Sequence, residues 1–248
     1  MIRGEVMNSQ RRYPRREACD PIDACIEHEV AQTILHDAKK CDDAIEAFHK
    51  GDYQAAYEIA LSLVRNNSPL LERAKQIVIR VLDELVDEYW EEKNYDKVVQ
   101  LLNEWLGLDP SAVYPAVAKA DVLWLELEQA EDAKRVYRSI VKKHPYCVEA
   151  WIGLTQIALS QGHLKRATQY LKRGWLSLRQ AEWATIPTQE VVVNILESLY
   201  ALTARLLSLV DNPQQGIRIL EAVLPTWEGS GYLEQEIESL RKMGDNLL

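Results

Sequence analysis

A turn followed by an amphipathic helix recurs five times in these 248 residues, and that recurrence constrains the fold more than any other feature. The copies begin at Gly51-Asp52-Tyr53-Gln54-Ala55-Ala56, Lys93-Asn94-Tyr95-Asp96-Lys97-Val98, Glu128-Gln129-Ala130-Glu131-Asp132-Ala133, Gly162-His163-Leu164-Lys165-Arg166-Ala167 and, more weakly, Asp211-Asn212-Pro213-Gln214-Gln215-Gly216. Aligned on Tyr53, Tyr95, Ala130, Leu164 and Pro213, they lie 42, 35, 34 and 49 residues apart. A helical unit of this length cannot bury its apolar face alone, so it must stack on neighbours of the same kind. A small residue stands early in the second helix of four units (Ala56, Ala133, Ala167, Gly216), with Val98 the exception. Four residues on, Ala60, Leu102, Tyr137, Leu171 and Leu220 fall on the same apolar seam. Asp109-Pro110 and His144-Pro145 close second helices, because proline denies the preceding residue a helical conformation.

The best-formed unit is Val148–Leu178, VEAWIGLTQIALSQGHLKRATQYLKRGWLSL. Its order of large and small residues (Trp151, Leu154, Ala158; Gly162; Ala167, Leu171, Gly174) resembles the tetratricopeptide repeat, whose signature is Trp-x2-Leu-Gly-x2-Tyr, then Ala-x3-Phe, then Pro. In other first helices Leu82 and Tyr200 take the bulky position, with Leu85 and Thr203 three residues later. The glycine of the signature is missing throughout: Val86, Asp121, Thr155 and Ala204 stand there by count. The resemblance implies an all-α fold, a right-handed superhelical array (α-solenoid) of antiparallel helix pairs. Repeats are expected near 37–70, 79–110, 113–147, 148–181 and 197–228, within one domain from 21 to 248. The two long intervals require lengthened first helices, roughly 69–92 and 188–209. After Glu228-Gly229-Ser230-Gly231, residues 232–247 place Leu233, Ile237, Leu240 and Leu247 on one side, as a C-terminal capping helix would.

Residues 1–20 mix charge, proline and polar residues without periodicity and read as a flexible basic arm. Met7, behind Arg3-Gly4-Glu5-Val6, is a second candidate start. Residues 1–18 carry +3 of the formal charge, leaving −12 on the rest. So acidic a body argues against nucleic-acid binding by the main domain, which needs a basic stripe. No apolar run reads as a membrane span and no secretory pattern opens the chain, so the expected location is cytoplasmic.

Nothing points to catalysis. There is no phosphate-binding glycine loop, no Gly-x-Ser-x-Gly elbow and no His-Glu-x-x-His, and no cofactor is implied. Glu46-x-x-His49 is half of a di-iron pattern without its partner pair. Cys19, Cys25 and His28, with Cys41 nearby, have the wrong spacing for structural zinc, and no metal site is expected. Of Trp90, Trp105, Trp124, Trp151, Trp175 and Trp183, most read as packing between hairpins, with Trp90 singled out as the exception.

The resemblance also implies where a partner binds. In this family the first helices line a concave groove at the second, fifth, ninth, twelfth and thirteenth positions of each repeat. Here those positions are Arg80, Asp83, Asp87, Trp90 and Glu91, then Ala118, Val122, Leu125 and Glu126, then Glu149, Ile152, Gln156 and Leu159. Some members hold the acidic Glu-Glu-Val-Asp tail of heat-shock chaperones, which Asp83, Asp87, Glu91 and Glu126 would repel. The ligand expected instead is a protein segment or folded subunit offering basic and apolar side chains. The function implied is a non-enzymatic adaptor or scaffold. Alternatives are a dedicated chaperone for a secreted or assembling subunit and a regulatory or structural subunit of an enzyme complex. Self-association stays open.

Overall fold

One backbone solution serves four of the hairpin turns. Gly51, Lys93, Glu128 and Gly162 take the left-handed conformation, with φ of 77°, 58°, 55° and 68°. Each is followed by a capping residue (Asp52, Asn94, Gln129, His163) and then by the first residue of the second helix. The Asp52 carboxylate accepts from the Ala55 N–H at 3.0 Å, satisfying a helix-start donor that has no partner in the helix. Glycine adopts this conformation freely, whereas Lys93 and Glu128 each bear a steric cost of about 1 kcal/mol for it.

A computed structural model describes residues 21–181, 188–210, 213–226 and 230–245, with side chains from His28 to Met243. The basic arm, Met7, Cys19, the Cys25 side chain, Trp183 and Leu247 lie outside the described residues. The helices are α1 (Pro21–His49), α2 (Tyr53–Arg65), α3 (Leu71–Glu91), α4 (Tyr95–Leu108), α5 (Val113–Asp121), α6 (Ala130–Lys143), α7 (Val148–Ser160), α8 (Leu164–Ser177), α9 (Gln189–Val210), α10 (Pro213–Val223) and α11 (Gly231–Asp245). A π-helical turn, Val122–Glu126, extends α5, and short 3-10 turns follow α8 and α10. The fold is an all-α array of helix pairs, and α3 and α9 are the long first helices that the stretched intervals require.

Contacts divide the chain into two units, one up to Val81 and one from Leu82. In the first, Ala44, Ala56 and Ala60 are fully buried and let α1 and α2 approach closely. The buried Ser68 hydroxyl donates to Asp37 at 2.6 Å, and the Arg80 guanidinium lies 5.3 Å from the Phe48 ring centre. The Glu46 carboxylate is taken by Lys50 at 2.6 Å.

In the second unit α5 pairs with α6, α7 with α8 and α9 with α10, and α11 closes on α9 and α10 through Leu233, Ile237 and Leu240. The small-residue positions work as steric sockets. Ala133 and Ala167 have no exposed surface, and a methyl on Gly216 would overlap the Ala204 carbonyl oxygen of α9. The cap is pinned by an ion pair, Arg205 Nε donating to the buried Glu236 carboxylate at 2.9 Å.

Two sequence expectations need correction. By length and apolarity α9 is long enough to cross a membrane. It is apolar on several sides because α7, α8, α10 and α11 all pack on it, and it buries the polar Glu197 and Ser208 as well as Ile195 and Leu199. The glycine position of the third repeat is held by Ala120 and not by Asp121, for a reason given below.

The socket at Gly216 makes a direct stability test. Gly216→Ala should cost about 1–3 kcal/mol in urea unfolding, since the overlap is with backbone that cannot yield. Gly107→Ala, where an added methyl meets nothing at an exposed position of α4, should be neutral or stabilise by up to about 1 kcal/mol.

Candidate functional site

The geometry of the site begins with the extra residue in the π-helical turn. In three turns the capping residue's N–H bonds back five residues: Asp52 to Ala47, Asn94 to Tyr89 and His163 to Ala158. In the third unit Gln129 reaches back six, to Leu123. Upstream of that turn the third repeat is therefore offset by one residue from a plain 34-residue count. Val122 stands where Ile157 does, Ala120 where Thr155 does and Val117 where Ile152 does, and burial agrees at each pair. Asp121 consequently stands where Gln156 does, on the face lined by first helices. The added residue was legible in the 35-residue interval between Tyr95 and Ala130.

That offset builds a connected acidic strip along α3, α5 and α7. Tyr114, Asp121 and Glu149 line a cavity of about 230 Å³ whose apolar wall includes Val117, Val191 and Ile195, with Asn194 at its side. Asp121 accepts a hydrogen bond from the buried Tyr137 hydroxyl of α6. Its pKa rises from 3.8 to about 6, chiefly through burial; the Tyr137 bond opposes the rise and nearby Glu149 adds to it. The Tyr114 hydroxyl is pushed up to about 12 by burial and by Asp83 and Asp87. Asp83 is itself raised by burial and by its neighbours Asp87 and Glu84. Burial leads in all three shifts, and the neighbouring acidic groups on this face add to it.

A second cluster lies beside it. Trp90, 39% exposed, meets Tyr95 edge-on at 5.7 Å, and the Tyr95 hydroxyl is raised first by its hydrogen bond to Glu126. Leu125 on the same turn is 59% exposed. The first helices also touch one another, α5 on α7 and α7 on α9, whereas α6 and α8 are joined by the long side chains of Arg138 and Tyr170, 3.5 Å apart.

The groove residues expected from the repeat count divide accordingly. Asp83, Asp87, Glu91, Leu125 and Glu126 are exposed, and Ala118, Glu149, Gln156 and Leu159 are partly buried. Val122 and Ile152 are corrected to core: Val122 has no exposed surface, and Ile152 packs with Ile195 and Leu199 of α9. Arg80 belongs to the first unit, over Phe48. Tyr114, Asp121 and Asn194 were not among the expected groove residues. Trp105 is buried against Tyr114, while Trp151 and Trp175 donate to the Pro145 carbonyl (2.8 Å) and the Thr203 hydroxyl (3.1 Å), so both indoles are packing elements.

A family model described as tetratricopeptide repeat matches residues 125–188. Residues 125–188 thus carry tetratricopeptide-repeat sequence. No curated protein matches the sequence. Among solved structures, the fold is similar to MamA (residue 41 to the end) from Desulfovibrio magneticus RS-1, at 14% identity over 75% of this chain and 92% of that one, with a TM-score of 0.48. It is similar to a thermophilic repeat protein from Thermus thermophilus at 12% identity, 82% and 98% coverage and a TM-score of 0.47. A third similar structure is pilF of Pseudomonas aeruginosa, at 13% identity, 84% and 97% coverage and a TM-score of 0.47.

The raised pKa of Asp121 has a sign that can be checked. The folded state holds this proton more tightly than the unfolded chain, so the group's contribution to stability is full below pH 4 and is lost as pH rises through about 6. Asp121→Asn keeps an acceptor for Tyr137 and removes the titration. Urea unfolding between pH 4 and pH 7 should show the native protein losing about 2–3 kcal/mol relative to that variant.

Proposed function

We propose that this chain is a non-enzymatic adaptor or scaffold that binds another protein on the first-helix face of its repeats. The acidic strip with exposed apolar side chains beside it carries the reading. Asp83, Asp87, Glu91 and Glu126 set the charge, and Trp90 and Leu125 offer the contact area. Exposed carboxylates of this kind select and steer a cationic partner but contribute modestly to affinity, because solvent screens them. A half-exposed indole supplies area at little conformational cost and suits a binding anchor. The partner segment this face fits therefore alternates basic and apolar side chains.

Asp87→Lys together with Glu91→Lys tests this, since both side chains are exposed. The double variant should retain the native urea midpoint and lose the proteins captured by the wild-type chain from its native lysate, as identified by mass spectrometry. A folded double variant that captures the same set would place the binding surface elsewhere.

A further inference from the structure

Net charge hides a basic surface on the second helices of two central hairpins, α6 and α8. Helix α8 carries Lys165, Arg166, Lys172 and Arg173 and no acidic residue. The two pairs are seven residues apart, so they lie on one helix face about 10 Å from each other. Arg138, Lys142 and Lys143 of α6 extend the same surface, with Arg138 reaching the Tyr170 hydroxyl of α8. All seven cations are exposed, and among the described residues none of them forms an ion pair. Leu176, 53% exposed, continues the α8 face beyond Arg173. The sequence-level argument that an acidic body lacks a basic stripe is thus overturned in the folded chain.

This basic face has the chemistry that the acidic face requires of a partner: paired cations at helical spacing with an exposed aliphatic side chain among them. The acidic side chains stand on α3 and the turn after α5 and the cations on α6 and α8, all within the one packed unit from Leu82, so one molecule cannot close the two surfaces on each other. We propose that the acidic first-helix face receives the α6–α8 face of a second copy of this chain, joining copies head to tail. This docking rests on the acidic face being a partner-binding surface, and it names that partner. Lys172 and Arg173 meet Asp87 and Glu91, and Leu176 meets Trp90 and Leu125. A contact between two different patches is heterologous, so it propagates into a chain of copies unless geometry closes a ring. Because the charges are exposed, the contact weakens steeply with salt.

Sedimentation velocity on the full chain decides the matter. At about 25 mM NaCl the weight-average sedimentation coefficient should rise with protein concentration, and at about 500 mM NaCl association should weaken at least about tenfold. Lys172→Glu with Arg173→Glu, and separately Asp87→Lys with Glu91→Lys, should each remain monomeric at low salt, with unchanged circular dichroism showing that they fold. Mixed in equal amounts, the two variants should associate again, because the reversed faces complement each other. A wild-type chain that stays monomeric at low salt overturns the proposal, as does association that survives both reversals or fails to return on mixing. A monomeric wild type whose α6–α8 face instead binds short duplex DNA or anionic vesicles, with loss in the α8 variant, also overturns it. Failure of self-association alongside lysate capture that depends on Asp87 and Glu91 leaves the adaptor reading standing, whereas loss of both results removes the acidic face as a docking surface.

Discussion

The array depends on close approach between the two helices of each pair, and a few very small residues make that approach achievable. Ala56, Ala133, Ala167 and Gly216 stand at equivalent places in their second helices, and each is buried where the partner helix crosses. A larger side chain there would push the helices apart and open the seam that the following apolar residues fill. At Gly216 the neighbour is a backbone carbonyl, which leaves no room for adjustment. Left-handed residues turn the chain in four of the hairpins, and the Asp52 and Asn94 side chains after two of them accept from first-turn amides of the second helix.

Against this regular background, one irregularity places the site. The π-helical turn after α5 absorbs one residue beyond the repeat length and rotates the upstream part of the helix. The rotation sends Val122 into the core and brings Asp121 to the lined face beside Glu149. π-helical turns are short, energetically unfavourable insertions that recur at functional sites. Here the insertion converts a position that would be apolar by count into a carboxylate held by Tyr137.

Charge is organised by face. Carboxylates gather on α3 and the turn after α5, while lysines and arginines gather on α6 and α8, so the formal charge of −9 describes neither surface. Crowding of like charge shows in the raised pKa values of Asp83, Asp121 and Tyr114, each with burial as the leading cause and other acidic groups reinforcing it. Such a molecule is built for orientation-dependent contacts, because a partner approaching one face meets the opposite field from a partner approaching the other.

How much of this was legible beforehand follows from the range of the interactions involved. Turn chemistry, helix periodicity and the placing of small residues are local, so the order of helices, the long α3 and α9, the cap with Leu233, Ile237 and Leu240, and the acidity of α3 could be read from the residues alone. Even the inserted residue left its trace in a 35-residue interval. Tertiary structure decided which side of each helix is covered. Ile152 became core because α9 packs on α7, and α9 became apolar almost throughout because four helices surround it. It also decided that Asp121 faces Glu149, and that cations spread along α6 and α8 form one surface. The physical reason is that burial and field are set by neighbours distant in sequence, and a repeat count predicts them only while every repeat has the same length.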